Sequence, residues 1–402
     1  MSDIIKISEV FRNKTMSILS TKRSDGPFLI LLPFVSMSGL ELFGVRFAKD
    51  LLSKKIPAVI ASPSGGLICE RCRNESIPWL PMPVMWRFDP VGIYMLSQTL
   101  FALKPRAVVG FRTQTAYPLH LARLITRNHA PFFLFYRLGA GNQPRLDPLH
   151  RLLFRQMAAV VPNSDHVKNK ILSKWAIDDN KVVCIKSGID INKYQPNKEK
   201  RFGIRNNLGI PGDALVIGNT GRIHPEKGSL ILLEALFGEN GAAEKRKDIY
   251  LVYVGREYEP GYGDFLKKRA EELNARDRFF IVPFRNDVEN IYPAFDIFTL
   301  AVTSHETYAY VVLEAMASGV VPIVPEIGGM KEMFSDGVEG FYFRHRDTES
   351  LIDVIRKALA MTSDARIKMS EAARKRMEKY ANWDEMMEKY FHLFKSLGIS
   401  IC

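Results

Sequence analysis

Cysteine is scarce in this chain, with four in 402 residues. Cys69 and Cys72 form a single C-x-x-C pair, and neither a second pair nor histidines at ligand spacing lie nearby to complete a zinc site. We interpret the pair as two reduced thiols, which is typical of a cytoplasmic protein. The scarcity therefore argues against a disulfide framework and against a structural metal site.

Long apolar runs are absent as well. The longest candidate, residues 91–103, is too short to cross a bilayer and contains Ser97 and Gln98. The first residues mix charged and apolar side chains from the third position onward, unlike a secretory signal. We therefore expect neither a transmembrane helix nor a signal peptide.

Charge is plentiful and unevenly distributed. The formal net charge is +12, and residues 1–200 carry 29 Lys and Arg against 14 Asp and Glu, whereas the remainder carries 27 against 30. Such asymmetry indicates a partner with negative charge on one side, namely an anionic membrane, a nucleic acid or a phosphorylated substrate. General solubility is the alternative explanation. Because no basic motif interleaved with aromatic residues is present, we expect no nucleic-acid partner.

Short β-branched runs alternate with amphipathic stretches along the whole chain, which predicts an α/β fold with buried parallel strands. The pattern stops in the polar segment 192–207 and then restarts. Two such repeats predict two doubly wound, Rossmann-like parallel-sheet domains facing a central cleft. The predicted divisions are 1–195 for the first domain, 196–212 for a linker, 213–380 for the second domain and 381–402 for an amphipathic C-terminal helix. The predicted strands are 28–35, 57–61, 106–111, 131–137, 158–163, 181–185, 214–220, 248–255, 278–284, 295–301 and 320–325.

The segment "GNTGRIHPEKG", residues 218–228, joins a predicted strand to a predicted helix. Arg222 and Lys227 lie five residues apart, just before that helix. A helix N-terminus and two cations favour a diphosphate, although an ordinary loop with exposed cations fits this pattern equally well. The P-loop pattern G-x-x-x-x-G-K-[ST] is absent.

Two glutamates, Glu306 and Glu314, lie eight positions apart in "HETYAYVVLEAMASG". We expect Glu306 in a loop and Glu314 inside a helix that begins after it and ends at Gly319. An acid among apolar neighbours indicates a partner, such as two hydroxyls of a ribose or a sugar. The alternatives are a charge that stabilises the helix dipole and a salt-bridged helix residue. Gly328 and Gly329 follow the next strand, where they allow either close approach of a ligand or a flexible turn.

Taken together, "GRIHPEKG", "FDIFTLAVTSHETYAYVVLEAMASG" and "VVPIVPEIGGMKEMFSDGVEGFYF" closely resemble the donor-binding half of the retaining glycosyltransferases of family 4, which have the GT-B fold. A weaker likeness extends over almost the whole chain. The combination of an R-x4-K pair, an E-x7-E pair and this strand order is specific, whereas each part alone is weak.

The resemblance implies transfer of a sugar from a UDP- or GDP-linked donor with retention at the anomeric carbon and without a metal or other cofactor; the chain contains no D-x-D triplet. It assigns catalytic roles to Glu306, Arg222 and Lys227, of which the two cations clamp the diphosphate. Glu314 would hold the ribose, and residues 281–284 would line the base pocket, mostly through their main chain. The resemblance also implies that the last helix crosses back to the first domain. The residues that it implies for donor binding are Gly39, Gly221, Arg222, Lys227, Val282, Phe284, His305, Glu306, Tyr308, Ala309, Tyr310 and Glu314.

Several positions depart from the family pattern. After the first glutamate the family usually has glycines flanking an aromatic, whereas this chain has the run Thr307, Tyr308, Ala309 and Tyr310. The histidine that many relatives place at a strand end of the first domain is not found. Arg112 and Arg137 follow the corresponding strands, where they fit either an anionic group of the acceptor or donor or an exposed loop charge. A catalytically silent subunit or binding module is therefore the alternative to an enzyme.

The basic first half is the acceptor side in this fold. We accordingly expect a glycan or lipid-linked acceptor, contact with an anionic membrane surface, and a cytoplasmic, peripheral enzyme of cell-surface polysaccharide or lipopolysaccharide synthesis.

Overall fold

The computed structural model describes residues 26–35, 39–84, 88–136, 144–243, 245–304, 306 and 308–401. Contacts between residues divide this part of the chain into two compact units. The first unit contains the described residues up to Ile185 together with those from Glu388 onward, and the second is Lys186–Met387. The segment 196–212 therefore belongs to the second unit.

The first unit is built on a six-stranded parallel sheet with the strand order β3-β2-β1-β4-β5-β6. Its strands are buried on both faces, which explains their nearly continuous apolar sequences. The strands are β1 Phe28–Leu31, β2 Ala58–Ser62, β3 Trp79–Pro81, β4 Ala107–Gly110, β5 Phe132–Tyr136 and β6 Met157–Pro162. The helices are α1 Gly39–Ser53, α2 Leu67–Asn74, α3 Pro90–Leu103, α4 Ala116–Thr126, α5 Pro148–Arg155 and α6 Asp165–Lys174.

Aromatic side chains from the end of the chain complete the core of the first unit. Phe394 lies 5.0 Å from Phe28 and 4.9 Å from Phe133, measured between ring centroids. Tyr390 lies 5.5 Å from Phe47. Because Tyr390 and Phe394 are fully buried, the last helix contributes to a core that is otherwise formed by the first half of the chain.

The second unit contains another six-stranded parallel sheet, with the strand order β12-β11-β10-β7-β8-β9. Its strands are β7 Leu215–Thr220, β8 Ile249–Gly255, β9 Phe279–Pro283, β10 Ile297–Thr299, β11 Val321–Pro325 and β12 Phe341–Phe343. Its helices are α7 Lys198–Asn207, α8 Ser229–Phe237, α9 Tyr262–Glu272, α10 Tyr310–Ala317, α11 Thr348–Leu359 and α12 Ser363–Tyr380. The final helix, α13 Trp383–Ser396, begins in this unit.

Segment 192–207 is not poor in structure, because it contains α7. Arg201 and Arg205 lie one turn apart on this helix and both donate to Asp296, at 2.7 and 2.6 Å. Asp296 also accepts a hydrogen bond from the backbone nitrogen of Val216, at 2.8 Å. Arg205 is 2% exposed. A buried ion pair therefore anchors a helix whose composition alone suggests a linker.

The predicted fold class is confirmed, since both sheets are parallel and doubly wound. The prediction of a strand at 181–185 is wrong, because this segment forms no strand of the sheet and pairs with β6 only through an isolated bridge at Val182 and the backbone hydrogen bonds of Val183 and Ile185. Two three-residue strands, β3 and β12, are not predicted. Within the described ranges, no helix combines the length and the apolar composition needed to cross a bilayer.

Candidate functional site

The loop after β7 is fixed by close backbone contacts. Gly228 has a φ of +73°, and a Cβ atom built there would lie 1.8 Å from the carbonyl oxygen of Ala301. A Cβ at Gly255 would lie 1.6 Å from the carbonyl oxygen of Gly221. Thr303 donates from its backbone nitrogen to the Glu226 carbonyl at 3.0 Å. The loop therefore lies directly against the ends of β8 and β10.

This arrangement brings Lys227 and Glu306 together. The Lys227 Nζ atom donates to Glu306 Oε2 at 2.8 Å, and each side chain is 22% exposed. Lys227 ends a 3-10 turn, Pro225–Lys227, and Glu306 follows β10. Two of the three predicted catalytic residues thus form one partly shielded ion pair at the carboxyl edge of the sheet.

Arg222 lies in the same loop but not in this ion pair. Its guanidinium carbon lies 5.1 Å from the centroid of the Tyr258 ring, and its side chain is exposed. Gly221, just before it, is exposed and has a φ of +135°. Within the described part of the chain Arg222 makes no ion pair. Its charge therefore remains available at the rim of the Lys227–Glu306 pair.

Helix α10 begins at Tyr310, three residues later than the sequence suggests. Tyr308 and Ala309 are buried in the extended segment before it, and Ala309 is its N-cap residue. Gly319, with a φ of +72°, directly follows the helix C-cap, as expected for a residue in the left-handed region. The positive end of the helix dipole thus lies next to Glu306 in the sequence, where it favours a negative group.

Glu314 has two partners inside the protein. Tyr292 donates its hydroxyl to Glu314 Oε2 at 2.6 Å, and Tyr194 donates to Oε1 at 3.1 Å. The Tyr292 hydroxyl also pairs with Thr220 Oγ1 at 2.6 Å. Burial raises the pKa of Glu314 above its ordinary value, against the lowering effect of the two tyrosine hydrogen bonds. Each carboxylate oxygen has further acceptor capacity, so this network can orient the group toward a third donor.

The predicted base-binding segment ends strand β9 at the edge of the sheet. Val282 pairs with Val254 of β8 and is half-buried. Phe284 is exposed, and the Arg256 guanidinium lies 5.3 Å from its ring centroid. Gly328 opens a 3-10 turn, Gly328–Glu332, after β11. Because the strands are parallel, all these segments lie at the same edge of the sheet as Lys227 and Glu306.

The first unit holds a separate cavity at the carboxyl edge of its own sheet. Arg112 follows β4, and its guanidinium carbon lies 4.2 Å from the ring centroid of Phe34, which follows β1. The cavity has a volume of about 470 Å³. It is lined by Pro33, Phe34, Val35, Gly65, Gly66, Leu67, Val84 and Arg112. The pocket therefore combines a largely apolar lining with the guanidinium group of Arg112.

Three predicted positions are not described as part of either group. Gly39 is exposed at the start of α1, and His305 and Arg137 lie outside the described residues.

The thiols of the C-x-x-C pair are buried in α2. Burial raises the pKa of Cys72 to about 12, which keeps its thiol protonated at neutral pH. Among the described residues, no group of three or more His, Cys, Asp and Glu side chains is arranged to hold a metal ion.

Comparison with known proteins identifies the fold first. A glycosyltransferase from Rickettsia africae has a TM-score of 0.80 at 22% identity, covering 93% of this chain and 99% of that one. Anabaena HepE in complex with UDP and glucose has a TM-score of 0.75 at 20% identity, covering 92% and 100%. The chain therefore has the GT-B fold of these glycosyltransferases.

The family follows from the sequence comparisons. Residues 200–376, less than half of the chain, match the model for glycosyl transferases group 1, which confirms the predicted resemblance over this part of the chain. A D-inositol 3-phosphate glycosyltransferase of Saccharomonospora viridis is 26% identical over 64% of this chain. A lipopolysaccharide 1,2-N-acetylglucosaminetransferase of Salmonella typhimurium is 26% identical over 54% of it. The chain spans 61% of the length of the first relative and 56% of the second.

Sequence reasoning missed the residues that hold the predicted ones in place. Tyr194 and Tyr292 lie 120 and 22 residues from Glu314 in the sequence, and nothing in their local pattern indicates a shared contact. Tyr258, beneath Arg222, follows β8 in a polar loop. A buried acid in an apolar helix does signal that hydrogen-bond donors must exist, but not where they are.

Proposed function

We propose that the protein is a retaining glycosyltransferase that moves a sugar from a UDP- or GDP-linked donor to a glycan or lipid-linked acceptor. The observation that carries this proposal is the Lys227–Glu306 pair, which joins a phosphate-binding cation to a carboxylate able to accept sugar hydroxyls. Its position at the carboxyl edge of a parallel sheet is where such folds bind ligands. The family match of residues 200–376 supports the same assignment.

The proposed step breaks the bond between the anomeric carbon and the diphosphate oxygen. The electron pair of that bond goes to the departing diphosphate, and the acceptor hydroxyl oxygen forms the new bond on the same face of the sugar. The hydroxyl proton passes to a phosphate oxygen of the leaving group. Lys227, Arg222 and the N-terminus of α10 stabilise the negative charge that develops, so the proposal requires no metal ion.

In this proposal the two glutamates bind different parts of the donor. Glu306 accepts hydroxyls of the sugar while Lys227 shares its charge with the diphosphate. Glu314, held by Tyr292 and Tyr194, accepts the ribose hydroxyls. The end of β9 lies at the same sheet edge and supplies main-chain groups for the base.

We assign the acceptor to the cavity of the first unit. Arg112 suits an acceptor that carries a phosphate or carboxylate, and the apolar lining suits the non-polar face of a sugar or cyclitol. The names of two relatives are consistent with this chemistry, since one contains an inositol phosphate and the other a lipopolysaccharide. The corresponding role is cell-surface polysaccharide or lipopolysaccharide synthesis by a cytoplasmic enzyme at an anionic membrane face.

The first experiment is a calorimetric titration with UDP, GDP, ADP and their common sugar conjugates in the presence of EDTA. We expect tight binding of one nucleotide class and a loss of at least about tenfold in Lys227→Ala and Glu314→Ala, because each removes a direct contact. Lys267→Ala, an exposed lysine on α9, is the matched control. Absence of binding by every nucleotide to the folded protein would instead favour a silent subunit.

A second experiment tests the acceptor side and the stereochemistry. Arg112→Gln should raise the KM for an anionic acceptor while leaving donor affinity unchanged, because Arg112 lies in the first unit. Proton NMR of the product during the first turnovers reports whether the anomeric configuration of the donor is kept. An inverted product, or an Arg112 variant with unchanged acceptor KM, contradicts the respective part of the proposal.

A further inference from the structure

Helix α3 has a composition that the donor and acceptor sites do not explain. Its 14 residues contain no Asp, Glu, Lys, Arg or His. The helix nevertheless has one exposed side, formed by Val91, Tyr94, Gln98 and Phe101 at helical spacing. Phe101 is 72% exposed. A solvent-facing helix usually carries charged residues on this side, so an uncharged and mostly apolar stripe along its full length indicates a binding surface.

The neighbouring helices extend this apolar surface. Helix α3 packs along α4, and α4 is joined to α5 by a hydrogen bond of 2.7 Å between Tyr117 and His150. Helices α4 and α5 expose Leu124, Ile125, Leu149 and Leu152. We call this surface the outer helical face, and its apolar residues are Val91, Tyr94, Phe101, Leu124, Ile125, Leu149 and Leu152.

The charge around the outer helical face has one sign. Residues 90–164 contain nine Lys and Arg and a single acid, Asp147. Asp147 caps α5 by accepting a hydrogen bond from the His150 backbone nitrogen at 3.1 Å. Lys104 and Arg127 follow the C-terminal ends of α3 and α4, and α5 exposes two further arginines. Within the described ranges, Lys104, Arg127, Arg151 and Arg155 form no ion pair.

We infer that the outer helical face is the surface by which this protein docks on an anionic phospholipid bilayer. Aromatic and aliphatic side chains bordered by cations bind the interface between headgroups and acyl chains. A second copy of the chain is a poor occupant, because symmetric pairing of this face would bring its cations against the same cations. The excess of positive charge therefore selects an anionic partner.

The outer helical face also follows a residue of the proposed acceptor cavity in the sequence. Val84 lines the cavity that holds Arg112, and exposed Phe88 lies four residues further along, directly before α3. The apolar stripe thus begins seven residues after Val84 in the sequence. This part of the inference rests on the proposed function, since a lipid-linked acceptor would approach the cavity from the bilayer. The affinity of the face for anionic lipid does not depend on it.

The test measures co-flotation of the full-length protein with phosphatidylcholine vesicles that contain either no phosphatidylglycerol or about 30% of it. We expect binding to the anionic vesicles only, and weaker binding as salt increases. The double variant Phe101→Ser/Leu124→Ser should lower the apparent affinity at least about tenfold, because it removes two inserted side chains. Its matched control is Phe202→Ser, a phenylalanine of the second unit that is 71% exposed.

The charge is tested separately. Arg151→Gln/Arg155→Gln should weaken binding to the anionic vesicles, whereas Lys245→Gln/Lys247→Gln, two exposed lysines of the second unit, should not. The inference is overturned if the wild-type protein does not bind anionic vesicles or binds neutral vesicles equally well. It is likewise overturned if both face variants bind anionic vesicles as tightly as the wild type does. It is also overturned if ultracentrifugation shows a dimer that Phe101→Ser/Leu124→Ser dissociates.

Donor titration without vesicles separates the two proposals. The face variants should keep wild-type affinity for the nucleotide sugar, because the altered residues lie in the first unit. Donor binding without vesicle binding overturns this inference and the proposed membrane location, and it leaves the proposed transfer reaction in place. Vesicle binding without donor binding overturns the proposed function and leaves the docking surface in place.

Discussion

The surroundings of Glu314 disfavour its charged form through burial, but they also fix the direction of its carboxylate oxygens through hydrogen bonds. Helix α10 has no other charged residue, and burial raises the pKa of this carboxyl. Two tyrosine hydroxyls aim at it from different segments of the second unit. At the scale of single residues the site is therefore a positioned carboxylate whose protonation and direction are both set by its neighbours.

Tyr292 should act as a positioning residue for Glu314. Tyr292→Phe removes the 2.6 Å hydrogen bond and leaves Thr220 without that partner, so we expect a loss of about 1–3 kcal/mol in the free energy of unfolding. We also expect weaker binding of the nucleotide. Titration with a nucleotide that lacks both ribose hydroxyls separates the effects, because its affinity should be the same for variant and wild type. An equal loss for both nucleotides would contradict the positioning role.

The raised pKa of Glu314 also makes stability depend on pH. Between the unfolded pKa and the higher folded pKa, the folded protein binds more protons than the unfolded chain, so the free energy of unfolding falls as pH rises through this window. Glu314→Gln removes this contribution, and the stability difference should therefore shift toward the variant with increasing pH. Urea denaturation of both proteins between about pH 4.5 and pH 8 measures the shift. Parallel pH profiles would show that Glu314 does not titrate as described.

At the scale of elements, the ion pair between α7 and Asp296 fixes a polar helix to the sheet of the second unit. Asp296→Asn leaves Arg205 buried without its counter-charge, which should cost about 3–5 kcal/mol in the free energy of unfolding. Asp248→Asn is the matched control, because Asp248 pairs with Arg246 at the exposed surface and should cost at most about 1 kcal/mol. Chemical denaturation compares them, and equal losses would mean that the Asp296 pair behaves as a surface pair.

The same elements show what the sequence predicts and what it does not. Doubly buried strands such as β1 and β7 are recognisable because β1 and the first residues of β7 are continuously apolar, and α10 is recognisable from its flanking loop and glycine. Helix α7 escapes recognition because its stabilising contact is a charge pair with a residue that is 91 positions away. The Lys227–Glu306 pair spans 79 positions, so sequence suggests the two roles but only the fold shows the contact. Strands β3 and β12 are too short to produce a pattern.

At the scale of the whole molecule, the chain returns at its end to the unit in which it began. The described residues from Glu388 onward belong with those up to Ile185, and Phe394 contacts the rings of Phe28 and Phe133. The stability of the first sheet therefore depends on a helix that is almost the full length of the chain away. A substitution in this helix should therefore destabilise β1 and β5 of the first unit rather than the sheet of the second unit, although the second unit directly precedes the helix in the sequence.

Phe394→Ala tests this dependence. Removing a fully buried ring from the aromatic core should cost about 3–5 kcal/mol in the free energy of unfolding of the first unit, because a cavity remains between β1, β5 and α1. Hydrogen exchange should accelerate in Phe28–Leu31 and Phe132–Tyr136 and stay unchanged in Leu215–Thr220 of the second unit. Lys395→Ala, an exposed neighbour on the same helix, controls for changes in helix propensity. Faster exchange confined to the second unit, or equal in both, would mean that α13 does not support the first sheet through this ring.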